Sequence, residues 1–102
     1  MKLLVGIDVS SEKLDTCFLD SEDQILLEES LSNTISGASK IKEYILQFND
    51  SNLYNRIIIG MEATSVYSFH PSTFLAEDRE LKALNVEVVV MNPKAIHRFK
   101  GI

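Results

Sequence analysis

The chain opens with KLLVGIDV at residues 2–9, an apolar run that carries a carboxylate, Asp8, near its end. A short continuous apolar run of this length is typical of a buried strand. A second run, RIIIGM at residues 56–61, has the same form and is followed directly by Glu62. A carboxylate at the end of a buried strand is costly to desolvate unless a cation meets it, and carboxylate oxygens are the ligands that Mg²⁺ prefers. Asp8 and Glu62 therefore predict a divalent-metal site where the two strands end.

The first half of the sequence predicts three strands joined by short turns. Residues 14–19 alternate between apolar and polar side chains, and residues 25–31 form a further strand-like segment. Polar turn residues at 10–13 and 21–23 separate these segments from each other and from residues 2–9. Strands joined by such short turns pair antiparallel, so we expect an antiparallel meander.

The second half of the sequence alternates helices with strands. Residues 56–61, apolar after Arg56, are typical of a strand that is buried on both faces and runs parallel to its neighbour. A helix is predicted over 37–48, with Ser36 as its N-cap and with Ile41, Tyr44, Ile45 and Phe48 on its core side. A second helix is predicted over 71–78, and its core side includes Phe69, Phe74 and Leu75. A strand over 86–91 follows, and Asn92 and Pro93 then open a last helix that the chain does not finish.

The order of these elements, βββαβαβ, resembles the ribonuclease H-like fold, an α/β architecture with a mixed five-stranded sheet and flanking helices. In that fold the first strand lies at the centre, antiparallel to the second strand and parallel to the fourth. We therefore expect Asp8 and Glu62 to lie within several ångströms of each other at one edge of the sheet. The unfinished last helix leads us to expect that residues 1–102 are the N-terminal part of a longer domain, truncated at the C-terminus.

The length and the net charge of the chain bear on its number of domains and on its ability to bind nucleic acid. Its 102 residues, 45% of them hydrophobic, suit one domain with a sheet face left open for a partner. The formal net charge of −5 argues against this domain gripping nucleic acid by itself, because phosphate binding needs clustered lysine and arginine. A modest basic tail, either a solvated helix face or a nucleic-acid contact, is formed by Lys94, His97, Arg98 and Lys100.

The sequence also disfavours several locations and kinds of site. Cys17 is the single cysteine, so no intrachain disulfide can form and a reducing cytoplasm is the expected setting. The N-terminal apolar run is too short and too soon acidic for a signal peptide or a membrane span, so no membrane association is expected. His70 and His97 have no cysteine or histidine companions at ligand spacing, which disfavours zinc.

Three short motifs carry a resemblance to a known family. In the order of the predicted elements, they are VGIDVS at 5–10 with Lys13 and Asp15, MEATSVY at 61–67, and VVVMNP at 88–93 with Phe99. Together they resemble the N-terminal RuvC-like domain of the DEDD transposases, the enzymes of insertion sequences in the 110 group, which are associated with a structured bridge RNA. The resemblance covers nearly the whole chain.

The resemblance implies that Asp8 is the first and Glu62 the second of the four acids that name the family. The other two aspartates of the family fall in an Asp-x-x-Asp segment beyond the Asn-Pro helix, and a C-terminal domain contributes a serine nucleophile. Neither is present in these residues. Ser65 stands where the family commonly has glycine, which should alter the turn toward Tyr67 rather than the metal ligands.

The activity implied by the resemblance is metal-dependent cutting and rejoining of DNA strands, with Mg²⁺ or Mn²⁺ held by the complete set of four acids. The expected partners are DNA, a structured guide RNA and further copies of the protein. With two of four acids, residues 1–102 alone should bind metal weakly and leave DNA uncut. Nucleic-acid contacts are expected from Thr64, Ser65, Lys94, Arg98 and Lys100, with helix capping as the alternative for Thr64 and Ser65.

Two other functions stay open. GIDVSS at residues 6–11, followed by a hairpin, also resembles the phosphate-binding opening of actin-like sugar kinases and ATPases, which are built on the same fold. Those proteins usually place glycine and threonine after the aspartate, whereas Glu12 puts an acid where phosphate would lie. The second alternative is a non-catalytic assembly module that uses an exposed sheet face.

Overall fold

A computed structural model describes residues 1–51, 54–62 and 71–91, and at positions 62 and 91 it describes the backbone. Five strands form one sheet in the order β3-β2-β1-β4-β5, and the described helices connect β3 to β4 and β4 to β5. The elements are β1 (Lys2–Val9), β2 (Lys13–Asp20), β3 (Ile25–Ser32), α1 (Ile35–Ser51), β4 (Arg56–Glu62), α2 (Pro71–Glu77), α3 (Arg79–Ala83) and β5 (Glu87–Met91). The predicted mixed five-stranded α/β fold is confirmed.

Strand β1 lies at the centre of the sheet, as the order of elements predicts. It pairs antiparallel with β2 and parallel with β4, while β2 pairs antiparallel with β3 and β4 pairs parallel with β5. The short turns after β1 and β2 permit only antiparallel neighbours, whereas α1 supplies the crossover that a parallel neighbour requires. The carboxyl ends of β1 and β4 consequently meet at the same edge of the sheet.

The core lies on one face of the sheet. Alternate residues of β1, namely Leu3, Val5, Ile7 and Val9, are buried there together with the helical side chains Ile41, Ile45, Leu75 and Leu81. Each such side chain contributes roughly 1.5–3 kcal/mol when it leaves water. Phe18 of β2 packs edge-on against Tyr44 at 5.8 Å between ring centroids and also contacts Phe48. The predicted core side of α1 is thereby confirmed.

The opposite face of the sheet carries a different set of side chains. Leu4, Gly6 and Asp8 point there from β1, and Gly6 lies directly beside Gly60 of β4. The large buried side chains of the described helices, Ile41, Ile45, Leu75 and Leu81, belong to the cluster on the first face. Val89, the register neighbour of Gly60 on β5, is 40% exposed. Within the described part of the chain, the second face is therefore covered less than the first.

The prediction that Ser36 caps α1 is wrong. The helix begins at Ile35, and Thr34 precedes it with its hydroxyl accepting the Gly37 N–H at 3.3 Å and its carbonyl accepting the Ala38 N–H at 3.0 Å. Thr34 and Ser36 are both small polar residues of the kinds that cap helices, so residue type alone does not distinguish them. The helix also continues to Ser51, past the predicted end at residue 48.

A short helix that the sequence analysis missed lies between α2 and β5. Asp78, predicted as the last residue of one helix, instead separates α2 from α3, and its carboxylate accepts the N–H groups of Glu80 and Leu81 at 3.0 and 3.1 Å. The same aspartate forms an ion pair at 2.9 Å with Lys42, which also contacts Glu80 at 3.0 Å. Asp78 thus caps α3 and ties it to α1. Of the described helices, none has the length and hydropathy to cross a membrane.

Candidate metal site at the carboxyl ends of β1 and β4

Asp8 lies near the end of β1, where the sheet meets the β1–β2 turn. Its side chain is exposed, while Ile7 and Val9 on either side of it are buried in the core. The expectation that Asp8 is costly to desolvate is therefore wrong, because the alternation of the strand directs it away from the core. The carboxylate can meet a ligand from solvent without a cavity opening.

Glu62 is the last residue of β4. The parallel register pairs Ile7 with Met61, so the next residues along both strands, Asp8 and Glu62, come out at the same edge of the sheet. Glu62 is also the register partner of Met91 on β5. The predicted topology is confirmed at the level of the backbone, and it places both acidic positions at the carboxyl ends of adjacent parallel strands.

Asp15 lies directly opposite Asp8 in the antiparallel pair of β1 and β2, and it is exposed on the same side of the sheet. Like charges in directly opposite positions of an antiparallel pair destabilise it. A cation beside Asp8 would offset this repulsion. Sequence analysis assigned Asp15 no direct role in the site, although the turn of three residues between β1 and β2 determines this pairing.

The donor chemistry of this edge suits a hard divalent cation. Carboxylate oxygens are the preferred protein ligands of Mg²⁺, which keeps several waters and takes one or two carboxylates from the protein. Among the side chains that the structure describes, no group of three or more His, Cys, Asp or Glu is close enough to hold a metal ion. Asp8, with Glu62 as the adjacent position, therefore fits an Mg²⁺ site that is completed by other ligands.

The surroundings of Asp15 extend the negative charge along the second face. A shallow depression of about 270 Å³ between β2 and β3 is lined by Asp15 and Glu28, together with smaller side chains and Glu29. The Glu29 carboxylate lies on the other face, where it accepts the Tyr44 hydroxyl. A nucleic-acid phosphate would be repelled by the carboxylates of Asp15 and Glu28. This part of the sheet therefore suits a cation rather than direct contact with the DNA backbone.

Several residues predicted for the site lie outside the described residues. They are Thr64 and Ser65, which follow Glu62 in the sequence, and Lys94, Arg98 and Lys100 of the basic tail. Phe69, predicted for the core, and the two histidines, His70 and His97, also lie outside the described residues. One residue that sequence analysis did not select, Asn33, contacts the turn that follows Asp8. Its position between two elements gave no local signal, because its partners lie more than twenty residues away.

Comparison with solved structures places this fold among known ones. T. thermophilus RuvC, in complex with Holliday junction substrate, matches with a TM-score of 0.52 and 12% identity, over 96% of this chain and 69% of RuvC. A ROK family glucokinase from Streptomyces griseus, in complex with glucose and AMPPNP, matches with a TM-score of 0.51 and 18% identity, over 88% of this chain. The match spans about a third of that glucokinase, 33% of its length. At these identities the likeness concerns the fold alone.

Comparison at the level of sequence families is more specific. No protein with a curated description matches the chain significantly. The family model of the DEDD transposases of the 110 group of insertion sequences, described as a transposase, matches residues 5–102. This range includes β1 with Asp8 and β4 with Glu62, and it covers almost all of the 102 residues. The chain belongs to the family of DEDD transposases of insertion sequences in the 110 group, with a RuvC-like domain.

Proposed function

We propose that residues 1–102 are the N-terminal part of the RuvC-like catalytic domain of a transposase that cuts and rejoins DNA strands. In this proposal Asp8 and Glu62 are the first two of four acids that bind divalent metal. The observation that carries it is the parallel register, in which Ile7 pairs with Met61 and the two acidic positions follow at the same edge of the sheet. The family match over residues 5–102 supports the same assignment.

The chemistry follows from the position of the acids on rigid elements. A pair of bound Mg²⁺ ions supplies activation of the attacking oxygen and stabilisation of the leaving oxygen in phosphodiester cleavage. Asp8 and Glu62 would hold metal at the carboxyl ends of β1 and β4, because each lies at the end of a strand that is hydrogen-bonded to its neighbour over at least five residue pairs. Asp15 would add negative charge beside the ions and strengthen their attraction.

The partners in this proposal are DNA, a structured guide RNA and further copies of the protein. RuvC, the solved structure with a TM-score of 0.52, was bound to a Holliday junction, which supports DNA as the substrate class. The net charge of −5 and the acidic depression beside Asp15 support the proposal that most nucleic-acid contacts are made outside residues 1–102. Thr64, Ser65 and the basic residues Lys94, Arg98 and Lys100 are the proposed contacts within this chain, with the cytoplasm as the setting.

Residues 1–102 alone are proposed to be inactive on DNA. They supply two of the four acids, and with half of its ligands a Mg²⁺ site keeps more waters and loses affinity. Weak binding, with a Kd on the order of 1 mM, is the expected result for the chain by itself. In the family, the remaining two aspartates and the serine nucleophile belong to segments of the protein that correspond to no part of residues 1–102.

Paramagnetic broadening by Mn²⁺ tests the metal site directly. Amide signals of residues 7–9 and 61–62 should broaden first as Mn²⁺ is added to the wild-type chain. The Asp8→Asn variant should lose this broadening, because an amide replaces one carboxylate at unchanged size. Asp50→Asn, at an exposed position near the end of α1, is the matched control and should leave it intact.

Two results would contradict the proposal. Tight Mn²⁺ binding that Asp8→Asn does not weaken would mean that the metal binds elsewhere. Broadening that is confined to Asp15, Glu28 and Glu29 would place the ion in the depression between β2 and β3 instead of at the ends of β1 and β4. A plasmid-nicking assay with Mg²⁺ accompanies the titration, and cleavage by residues 1–102 that Asp8→Asn abolishes would contradict the proposed inactivity.

A nucleotide-binding lobe is the second candidate, favoured by the ROK family glucokinase match with a TM-score of 0.51. The structure gives a physical reason to rank it below the transposase. In the β1–β2 turn the Ser10 N–H and the Lys13 N–H are both taken by hydrogen bonds within the turn, so they are not directed at a phosphate. Saturable binding of AMPPNP to the chain, with shifts of the Ser10 to Lys13 amides, would favour this candidate instead.

A further inference from the structure

Asn33 lies between β3 and α1 and contacts the turn that follows Asp8. It is 8% exposed, and among the described residues only Asn33 and Thr16 are polar and buried. Its backbone N–H donates to the carbonyl of Glu12 at 2.9 Å, and its side-chain Nδ2 donates to the carbonyl of Ser10 at 2.7 Å. One residue therefore holds two carbonyls of the β1–β2 turn.

The turn itself is closed by its own hydrogen bonds. The Ser10 N–H donates to the carbonyl of Lys13 at 2.9 Å, and the Lys13 N–H donates to Oγ of Ser10 at 3.1 Å. These bonds fix the shape of the turn, whereas the Asn33 bonds fix its position relative to the rest of the fold. Ser10 is two residues from Asp8, so a shift of the Ser10 carbonyl moves the end of β1 on which Asp8 sits.

Asn33 is itself held by the start of α1. Thr34 caps the helix, and its hydroxyl is 2.8 Å from Oγ of Ser32. The backbone of Gly37 lies so close to Ser32 that a Cβ at position 37 would be 1.8 Å from the Ser32 carbonyl oxygen. The connection from β3 to α1 is thus closely packed, and Asn33 joins it to the β1–β2 turn.

The buried side-chain amide of Asn33 is only partly hydrogen-bonded. Its Oδ1 is buried and accepts no hydrogen bond from the described residues. A buried acceptor without a donor costs free energy, which an apolar residue at the same position would avoid. The gain that offsets this cost is the Nδ2 bond to the Ser10 carbonyl, which an apolar residue cannot make.

We propose that Asn33 is a positioning residue for the metal site: its Nδ2 bond to the Ser10 carbonyl holds the end of β1 so that Asp8 lies in register with Glu62. The inference rests on the proposed function, since it gives Asp8 the role of a metal ligand. Asn33 acts through Ser10 and does not touch the metal or the DNA. It deepens the assignment by naming the contact that keeps the two acids aligned before metal binds.

Two variants of nearly unchanged size test this inference in the 102-residue chain. Asn33→Asp keeps the shape of the side chain and removes the Nδ2 donor. Its added negative charge would by itself attract Mn²⁺, so a larger Mn²⁺ requirement in this variant would report lost positioning and not the charge. Asp20→Asn is the matched control, because Asp20 holds the other hairpin turn by accepting the N–H groups of Glu22 and Gln24 at 2.8 and 3.0 Å. Amide hydrogen exchange reports turn positioning, and Mn²⁺ broadening at Asp8 reports the metal site.

In Asn33→Asp we expect the Ser10 and Lys13 amides to exchange about tenfold faster, the loss of roughly one hydrogen bond, while amides of Ile57 and Ile59 in β4 keep their rates. Broadening at Asp8 should need several times more Mn²⁺. Asp20→Asn should change neither readout. Unchanged exchange at Ser10 and Lys13, or an equal loss of Mn²⁺ broadening in Asp20→Asn, would overturn the inference.

A measurement on the wild type keeps the test decisive if Asn33→Asp does not fold. One Nδ2 proton of Asn33 should be protected from exchange relative to the side-chain amide of the exposed Gln47. Equal exchange of both would overturn the inference. If wild-type Asp8 is not broadened by Mn²⁺ at all, the proposed function fails, whereas faster turn exchange in Asn33→Asp would still show the contact that Asn33 makes.

Discussion

Replacing Gly37 with alanine should destabilise the fold, although alanine is the better helix former. Gly37 is buried in the first turn of α1, and an added Cβ would lie 1.8 Å from the carbonyl oxygen of Ser32 and 2.8 Å from its carbonyl carbon. Real Cβ atoms do not approach backbone atoms closer than 3.0 Å, so helix and strand must separate by more than 1 Å. The obstacle is backbone, which cannot swing aside as a side chain can.

The magnitude follows from three opposing effects. Alanine gains about 1 kcal/mol of helix propensity over glycine. Overpacking against a rigid neighbour costs about 3 kcal/mol, the upper part of the usual range. Moving α1 away also removes the Thr34 cap, which costs about 1 kcal/mol. The net destabilisation of about 3 kcal/mol corresponds to a fall in Tm of about 12–24 °C for a domain of this size.

Thermal unfolding followed by circular dichroism measures this effect. Ser36→Ala is the matched control, because Ser36 is exposed in the same helical turn and alanine there gains propensity without a clash. The control should melt at or slightly above the wild-type temperature. A Gly37→Ala variant that melts with the control would refute the reasoning, since it would show that α1 and β3 separate without cost.

Three further substitutions test the packing of the core, the ion pair between Lys42 and Asp78, and the repulsion between Asp8 and Asp15. Ile45→Ala should lower the free energy of unfolding in urea by about 2–5 kcal/mol, because Ile45 is fully buried in the core. Burial opposes ionisation of Asp78, but hydrogen bonds from Lys42 and from backbone N–H groups outweigh it and keep the pKa of Asp78 below its ordinary value. A depressed carboxyl pKa contributes stability above the unfolded-state value of about 4 that is lost as pH falls through the folded-state value. Asp78→Asn, which retains a capping side chain, should therefore melt below wild type at pH 7 and approach it as pH falls below about 4; an equal deficit at both pH values would show that the ion pair is not its source. Asp15→Asn should raise stability in metal-free, low-salt buffer by roughly 0.2–1 kcal/mol by removing repulsion from Asp8, and a gain that persists unchanged in 1 M salt would exclude that electrostatic cause.

The strands and their order could be predicted because their signals are local. The apolar runs around Val5 and Ile59 identify strands that the sheet buries, and short turns together with one intervening helix determine which neighbours are antiparallel and which parallel. The register that brings Asp8 and Glu62 to one edge then follows from topology. This part of the candidate site needed no information about side-chain contacts.

The contacts that hold the site could not be predicted, because they join residues far apart in the sequence. Asn33 reaches Ser10 across 23 positions, and nothing in the neighbourhood of either residue indicates the pairing. The need for glycine at position 37 arises from the backbone of Ser32, which becomes its neighbour after β3 and α1 have packed. The cap at Asp78 was missed for a local reason. An aspartate within a helical pattern is compatible both with the last residue of one helix and with the N-cap of the next.

The exposure of Asp8 changes the physical account of the candidate site. The sequence suggested a buried carboxylate that needs a cation to repay its desolvation, whereas the structure places it at the surface opposite Asp15. The unfavourable energy that a metal ion would relieve is then repulsion between carboxylates on adjacent strands, which solvent and salt weaken. An acid in such a position costs the fold little in the absence of metal. In the proposed site, alignment of the acids would therefore depend on the backbone contacts that end β1, and the bonds from Asn33 to the carbonyls of Ser10 and Glu12 join this turn to the connection between β3 and α1.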